Sequence, residues 1–214
     1  YVSGYTAQGG AIYNTSTISS ITGDFIGNYA TGSNSAYGGA IYNDTYGTIG
    51  NITGDFIGNY ASMGGAIYNT ATISSITGDF IGNYASSGSG GAIYSTGNIT
   101  LVADNADYTI SGNYIQIGDG EKDYQAIYIA GGNLTFNTKN GGSYTIDDKV
   151  AGDSFNLTLT GDGSTGNGVT FNNEVSNVFA LNISDTTVSI NKLVQNNALT
   201  VAGNNATEIG RAHV

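Results

Sequence analysis

The chain contains no cysteine, no proline and no tryptophan, a single methionine, and only 10% charged residues. Without cysteine there can be no disulfides and no thiolate metal sites, so stacking and backbone hydrogen bonds must hold the fold. Basic residues are scarce, five against sixteen acidic, for a net charge of −11. With no basic cluster anywhere, nucleic acid is excluded as a partner, and anionic membrane surfaces are disfavoured on the same Coulombic ground. No apolar run is longer than a handful of residues, so no segment can cross a bilayer as a helix or serve as a signal-peptide core. Hydrophobic residues make up 39% of the chain in short scattered pieces, which leaves no material for amphipathic helices.

What is present is 34 glycines and 16 tyrosines in a background of Asn, Thr and Ser. That is the composition of a β-rich extracellular polymer, and the scattered acidity keeps such a surface soluble. The hexamer Gly-Gly-Ala-Ile-Tyr-Asn begins at Gly9, Gly38 and Gly64, and returns as Gly-Gly-Ala-Ile-Tyr-Ser at Gly90. The decamer Ile-Thr-Gly-Asp-Phe-Ile-Gly-Asn-Tyr-Ala begins at Ile21, Ile52 and Ile76. Each repeat holds short alternating segments of Ile, Tyr, Thr and Phe between clusters of Gly, Asn and Ser. That reads as strands and turns and excludes the helical repeat families. Stacked rungs would satisfy every strand from above and below at roughly 4.7 to 4.9 Å. The expected fold is all-β: a right-handed parallel β-helix forming one continuous domain.

Three stretches are expected. Residues 1–115 carry the exact repeats. Residues 116–207 continue the same helix in degenerate form, as in Asn133-Leu134-Thr135-Phe136 and Phe155-Asn156-Leu157-Thr158-Leu159. The segment Ile115 to Gln125 interrupts the pattern and reads as a loop excursion. Residues 208–214 back-translate to a common short-read sequencing adapter, so this tail, with the only His and only Arg, reads as an artefact. Residue 1 falls inside a repeat, so a true N-terminus is expected upstream.

Equivalent positions in stacked rungs form columns. Ile12, Ile41, Ile67 and Ile93, with Ile127, should make one inward stack, and Phe25, Phe56 and Phe80 a second, with Ile110 in the fourth copy. Asn28, Asn59 and Asn83, with Asn113, should form an amide ladder at a turn where Asn tolerates left-handed backbone. Tyr13, Tyr42, Tyr68 and Tyr94 follow the inward Ile directly and should therefore project outward as an exposed aromatic row and a candidate binding surface. Neither end looks like a polar cap.

The paired motifs Gly-Gly-Ala-Ile and Phe-Ile-Gly-Asn resemble the Gly-Gly-Ala-(Ile/Leu/Val) and Phe-x-x-Asn repeats of the chlamydial polymorphic outer-membrane proteins and related autotransporter passengers. The resemblance covers residues 5–114, about half the chain. It implies a secreted β-helical passenger on the cell surface of a Gram-negative-type envelope. It also implies a C-terminal outer-membrane β-barrel on the same full-length chain and an adhesive role toward a host-cell or bacterial surface protein or glycan. An inert stalk fits the same repeats.

Catalytic chemistry finds little material. Gly161-Asp162-Gly163-Ser164-Thr165-Gly166 matches a dinucleotide fingerprint, but no helix follows to receive a pyrophosphate, so it reads as a turn. With His213 assigned to the tail, imidazole-based triads and zinc sites have no donor. Asp24, Asp55 and Asp79 could stack as carboxylates, solvated or bridged by Ca²⁺. Asp104 with Asp107 and Asp119 with Asp123 are further candidates for a hard cation. A polysaccharide lyase or glycosidase is the enzymatic alternative, because β-helices host such sites. Asp147 and Asp148 before Lys149 should not converge, however, since neighbours on a strand face opposite ways. The expectation is a non-enzyme with no cofactor.

Overall fold

A computed structural model describes residues 1–194. The degenerate stretch is therefore described only to residue 194, and the expected artefact at 208–214 lies outside the described residues. Every element among them is a strand, with no helix. Strands pair in parallel with their counterparts one repeat away, an arrangement compatible with a β-solenoid. Ile12–Asn14 pairs with Ile41–Asn43, which pairs with Ile67–Asn69, then Ile93–Ser95, then Gln125–Ile129.

Each repeat folds into one coil whose segments join separate sheets. A 7-stranded sheet takes Thr17–Thr22, Thr48–Thr53, Thr72–Thr77, Ile99–Asp104, Asn133–Lys139, Phe155–Gly161 and Val178–Ser184. A 13-stranded sheet takes the Ile-Tyr-Asn strands along one limb and the Phe-Ile strands along the other. The limbs meet at Gly168–Ser176, which pairs through Val169 and Phe171 with Ser143–Ile146 and through Val175 with Lys149–Gly152. A 4-stranded sheet holds Tyr60–Ala61, Tyr84–Ala85, Tyr114–Ile117 and Glu121–Asp123. Its last pair is antiparallel. The segment expected as a loop excursion is thus a β-hairpin, turned by Gly118 and Gly120 at positive φ, and Ile115 opposite Asp123 keeps the backbone paired.

Alternation of apolar and polar residues puts alternate side chains inside. Ile41, Ile67, Ile93 and Ile127 are fully buried and in register, and the column continues through Val150, Val175 and Leu193. Ile12, at the first coil, is only half-buried. Each such buried side chain contributes roughly 1.5–3 kcal/mol relative to exposure. Phe25, Phe56 and Phe80 stack with ring centroids 4.8 and 4.7 Å apart and planes within 7° and 3°. Phe80 pairs with Ile110, which pairs with Ile146.

The double glycine of the hexamer has two separate causes. Gly38 sits at φ +63°, a left-handed conformation that favours glycine. Gly39 has no room: a Cβ there would lie 2.1 Å from the Gly65 carbonyl oxygen and 2.6 Å from the Tyr60 nitrogen.

Candidate binding surface

The tyrosines after the inward isoleucines do stand on the outer side of their strands. Tyr13, Tyr42, Tyr68, Tyr94 and Tyr128 form one row in register. Their successive ring centroids are 5.3, 5.2, 4.8 and 5.8 Å apart, and the last three pairs are stacked within 8°. The row is not uniformly exposed. Tyr13 is 49% exposed, but Tyr42 is buried at 9%, which corrects the expectation for that position. Tyr37, from the long strand Ala30–Tyr37, places its ring 6.1 Å from Tyr42 and 4.7 Å from Tyr68 and covers the centre of the row. Tyr68 and Tyr94 are half-buried.

Hydroxyls end the row at acidic groups. Tyr13 donates to Asp44 Oδ2 at 2.8 Å, and Tyr128 donates to Asp153. The hydrogen bond to Asp44 raises the Tyr13 phenol, and the same bond lowers the Asp44 carboxyl. Burial pushes Tyr68 up to about 12, with neighbouring phenols adding to it. Burial, then the Asp153 hydrogen bond, does the same for Tyr128, also to about 12. These hydroxyls stay protonated donors at all ordinary pH values.

A second row was missed in the sequence reading, although the ninth residue of the decamer announces it. Tyr29, Tyr60, Tyr84 and Tyr114 follow one another with centroids 4.6, 4.8 and 4.7 Å apart, the first two pairs tilted by 40° and 33° and the last stacked at 22°. Tyr1 extends the row at 6.2 Å and Tyr124 at 6.2 Å. Lys122 of the hairpin sets its Nζ 4.0 Å from the Tyr114 ring centre, a cation–π contact. Stacked neighbours take the ring faces from Tyr42 to Tyr128 and between Tyr84 and Tyr114, so ring edges and hydroxyls point outward there, whereas Tyr29 is 43% exposed.

The asparagine column runs Asn28, Asn59, Asn83, Asn113. Each of the first three donates its backbone N–H and its Nδ2 to the Oδ1 of the next, at 2.8–3.0 Å. Asn59, Asn83 and Asn113 are fully buried. None of them is left-handed; the preceding Gly27, Gly58, Gly82 and Gly112 take the positive φ. The glycine makes the turn and leaves Asn free to aim both donors along the stack. Asp148 terminates the column, accepting from Asn113 N at 2.8 Å and Asn113 Nδ2 at 2.9 Å. Burial raises its carboxyl above the ordinary range despite these bonds.

A second amide column also went unread. Asn14 Nδ2 donates to Asn43 Oδ1 at 2.8 Å, Asn43 Nδ2 to Asn69 Oδ1 at 2.8 Å, and Asn69 Nδ2 to Ser95 Oγ at 2.9 Å. Ser95 stands where the hexamer departs from Asn. Its signal was the invariant sixth position of the first three hexamers.

The acidic candidates are engaged elsewhere. Asp24 Oδ1 accepts from Asp55 N at 3.0 Å and Asp55 Oδ1 from Asp79 N at 2.9 Å. Asp79 Oδ1 accepts from Thr109 N at 2.6 Å. This carboxylate column thus serves the backbone of the next coil. Asp104 accepts from Asn140 and Asp107 from Ser143. Asp147 accepts from Asn172 Nδ2, Asp148 faces inward on the amide column, and Lys149 pairs with Asp123 at 2.5 Å. Among the described residues no group of three His, Cys, Asp or Glu is placed to hold a metal.

The Gly161–Gly166 stretch borders a depression of about 300 Å³ lined by Gly163 to Asn167 and by Asp185, Thr186 and Thr187. Asp162 folds the stretch back, accepting from the N–H groups of Asn140 and Ser164 and from Asn167 Nδ2. These bonds, the Asn140 N–H first, hold its carboxyl well below the usual range.

Compared with protein-family models, with curated proteins and with solved structures, the chain matches none of them. The family resemblance rests on the two motifs alone.

Proposed function

We propose that this chain is part of a bacterial surface-exposed passenger, a single continuous right-handed parallel β-helix that works by adhesion or display and not by catalysis. The handedness is favoured by strand twist and by the crossover rule for parallel strands. Export would depend on an outer-membrane β-barrel carried by the full-length protein, as the repeat motifs imply. The observation that carries the adhesive reading is the pair of outward tyrosine rows. Tyrosine offers a large rigid body with a polar tip and is a preferred anchor in interfaces, and here it recurs coil after coil on the outer side of the strands.

The partner is a protein or glycan on a host or bacterial cell, met by hydroxyl donors along ring edges. Against a sugar-cleaving enzyme stands the fate of the Asp147-Asp148-Lys149 cluster, since these three residues each bind a different neighbour. Display of the chain on a heterologous cell, with adhesion to cultured cells and to a glycan array as readout, tests the reading. Saturable adhesion lost on changing Tyr60 and Tyr84 to Ser is expected. No preferential binding would leave a stalk, and release of unsaturated or reducing sugar ends would establish the enzyme.

A further inference from the structure

The 7-stranded sheet has an outer face that takes no part in the tyrosine rows. Its five interior strands are Thr48–Thr53, Thr72–Thr77, Ile99–Asp104, Asn133–Lys139 and Phe155–Gly161. Inward they bury Ile, Leu and Phe, with Ile49, Ile73, Leu101, Phe136 and Leu159 at most 1% exposed. Outward they show Thr, Ser and Asn, with Gly50 and Val102 between them. In a chain of net charge −11 these strands carry one carboxylate and one ammonium, Asp104 and Lys139, opposite each other in register at the strand ends. They point no aromatic ring outward, since Phe136 and Phe155 are both buried.

The threonines stand in register from coil to coil. Thr48 pairs with Thr72 and Thr53 with Thr77, and further along Thr100 pairs with Thr135, which pairs with Thr158. None of these hydroxyls is hydrogen-bonded to another described residue, whereas the inward Thr138 hydroxyl lies 2.8 Å from that of Thr186. A β-branched side chain has few rotamers, so each hydroxyl is held near one position. The columns step by roughly 4.7–4.9 Å between coils, and alternate residues step by about 6.6 Å along a strand. Both steps are on the scale of the distances between water oxygens on a face of ice. The amides keep the same order: Asn133 Nδ2 donates to Asn98 Oδ1 at 3.0 Å, and Asn156 Nδ2 to Asn133 Oδ1 at 2.8 Å.

We propose that this face binds ice. A rigid two-dimensional array of weak donors gains most from a partner with a fixed two-dimensional repeat, because the contacts then form together and neither side loses conformational entropy. A disordered peptide or a flexible glycan loses entropy at each contact. A mineral surface calls for charge and a crystalline polysaccharide for aromatic platforms, and the face has neither. Ice is uncharged and offers donors and acceptors over its whole surface, with the threonine methyls lying against the lattice between the hydroxyls.

The test measures thermal hysteresis, ice recrystallisation and crystal habit with the purified chain. A gap between melting and freezing points, halted recrystallisation and faceted crystals are expected. Thr135→Tyr with Thr158→Tyr raises two rings above the face while keeping residues that suit a strand, and should abolish all three effects with the melting temperature of the protein kept. Tyr60→Ser with Tyr84→Ser should leave them unchanged, so failure here and failure of the adhesive reading are separate results. Where the first pair folds poorly, Thr48→Tyr with Thr72→Tyr sets the same obstruction on two other coils. Absence of all three effects in the wild-type chain overturns the proposal, as does their survival in a folded threonine variant. Retention on microcrystalline cellulose without any effect on ice overturns it too, in favour of a glucan.

Discussion

Up to Tyr114 each coil repeats the same side chains, whereas from Gln125 onward the coils share little beyond alternation, yet strand pairing runs through both. In the first region Phe25, Phe56 and Phe80 lie face to face and amides run in two columns. In the second the large side chains interlock at angles: Phe136 meets Tyr144 at 71° and Phe171 at 89°. The coil also simplifies. The Tyr-Ala segment and its double-glycine corner end at the hairpin, leaving the corner Asp147-Asp148, and then a single strand, Gly168–Ser176, spans both limbs. Inward alternation is therefore enough for the fold, and repeat identity adds columns of like groups with specified partners.

The comparison breaks first at the core. Phe80→Ala in the stacked column and Phe171→Ala in the interlocked one should each cost about 3–5 kcal/mol by urea unfolding. A much smaller loss at Phe171 would mean that the second region is held by something other than inward packing.

A smaller effect separates the regions. Asn83→Ala leaves the buried donors of Asn59 and the Phe56 carbonyl without partners, at about 1–3 kcal/mol for each group orphaned. Hydrogen exchange should accelerate in the coils on either side of Asn83 and stay unchanged around Leu157, whose neighbouring amide column, Asn98, Asn133 and Asn156, does not include Asn83.

Alkaline titration should touch both regions. Tyr68 and Tyr128 hold their protons up to about 12 against an ordinary 10.0, so the folded state binds those protons more tightly than the unfolded one. Their contribution is complete below pH 10.0 and is lost as pH rises toward about 12. Phenolate absorbance and circular dichroism should change together over that window, and a variant with Tyr68→Phe should delay the change. Because Tyr42 is buried under Tyr37, replacing Tyr13, Tyr42, Tyr68 and Tyr94 together by Ser should lower the melting temperature as well as any adhesion. Replacing the exposed Tyr13 alone would spare it.

The smallest effect sits at the junction. The Asp148 carboxyl is raised by burial, so its folded form holds the proton more tightly than the ordinary 3.8 of an exposed aspartate. Its contribution is present at low pH and is lost as pH climbs through the raised value. Asp148→Asn removes this slope while giving up an acceptor for Gly112 N, so the variant should have a flatter acid-side stability profile than wild type. An unchanged profile would place the titrating group elsewhere.

The parallel pairing of repeats was legible in the sequence because identical strands of period two can hide their isoleucines together only when stacked in register, as Ile41, Ile67 and Ile93 are. The left-handed turns were legible as to place but not as to residue, since Gly58 bends the chain so that Asn59 need not. Other features depended on contacts between positions that alternation does not relate. Alternation says that Tyr42 leaves the core, but only the return of Tyr37 from the preceding strand decides that it leaves water too. The second tyrosine row and the use of Asp148 as the last rung of an amide column join residues a full coil or more apart, and the hairpin at Tyr114–Ile117 pairs Ile115 with Asp123 across a local turn. Local pattern sets which way a side chain points, and the neighbouring coil decides what it meets.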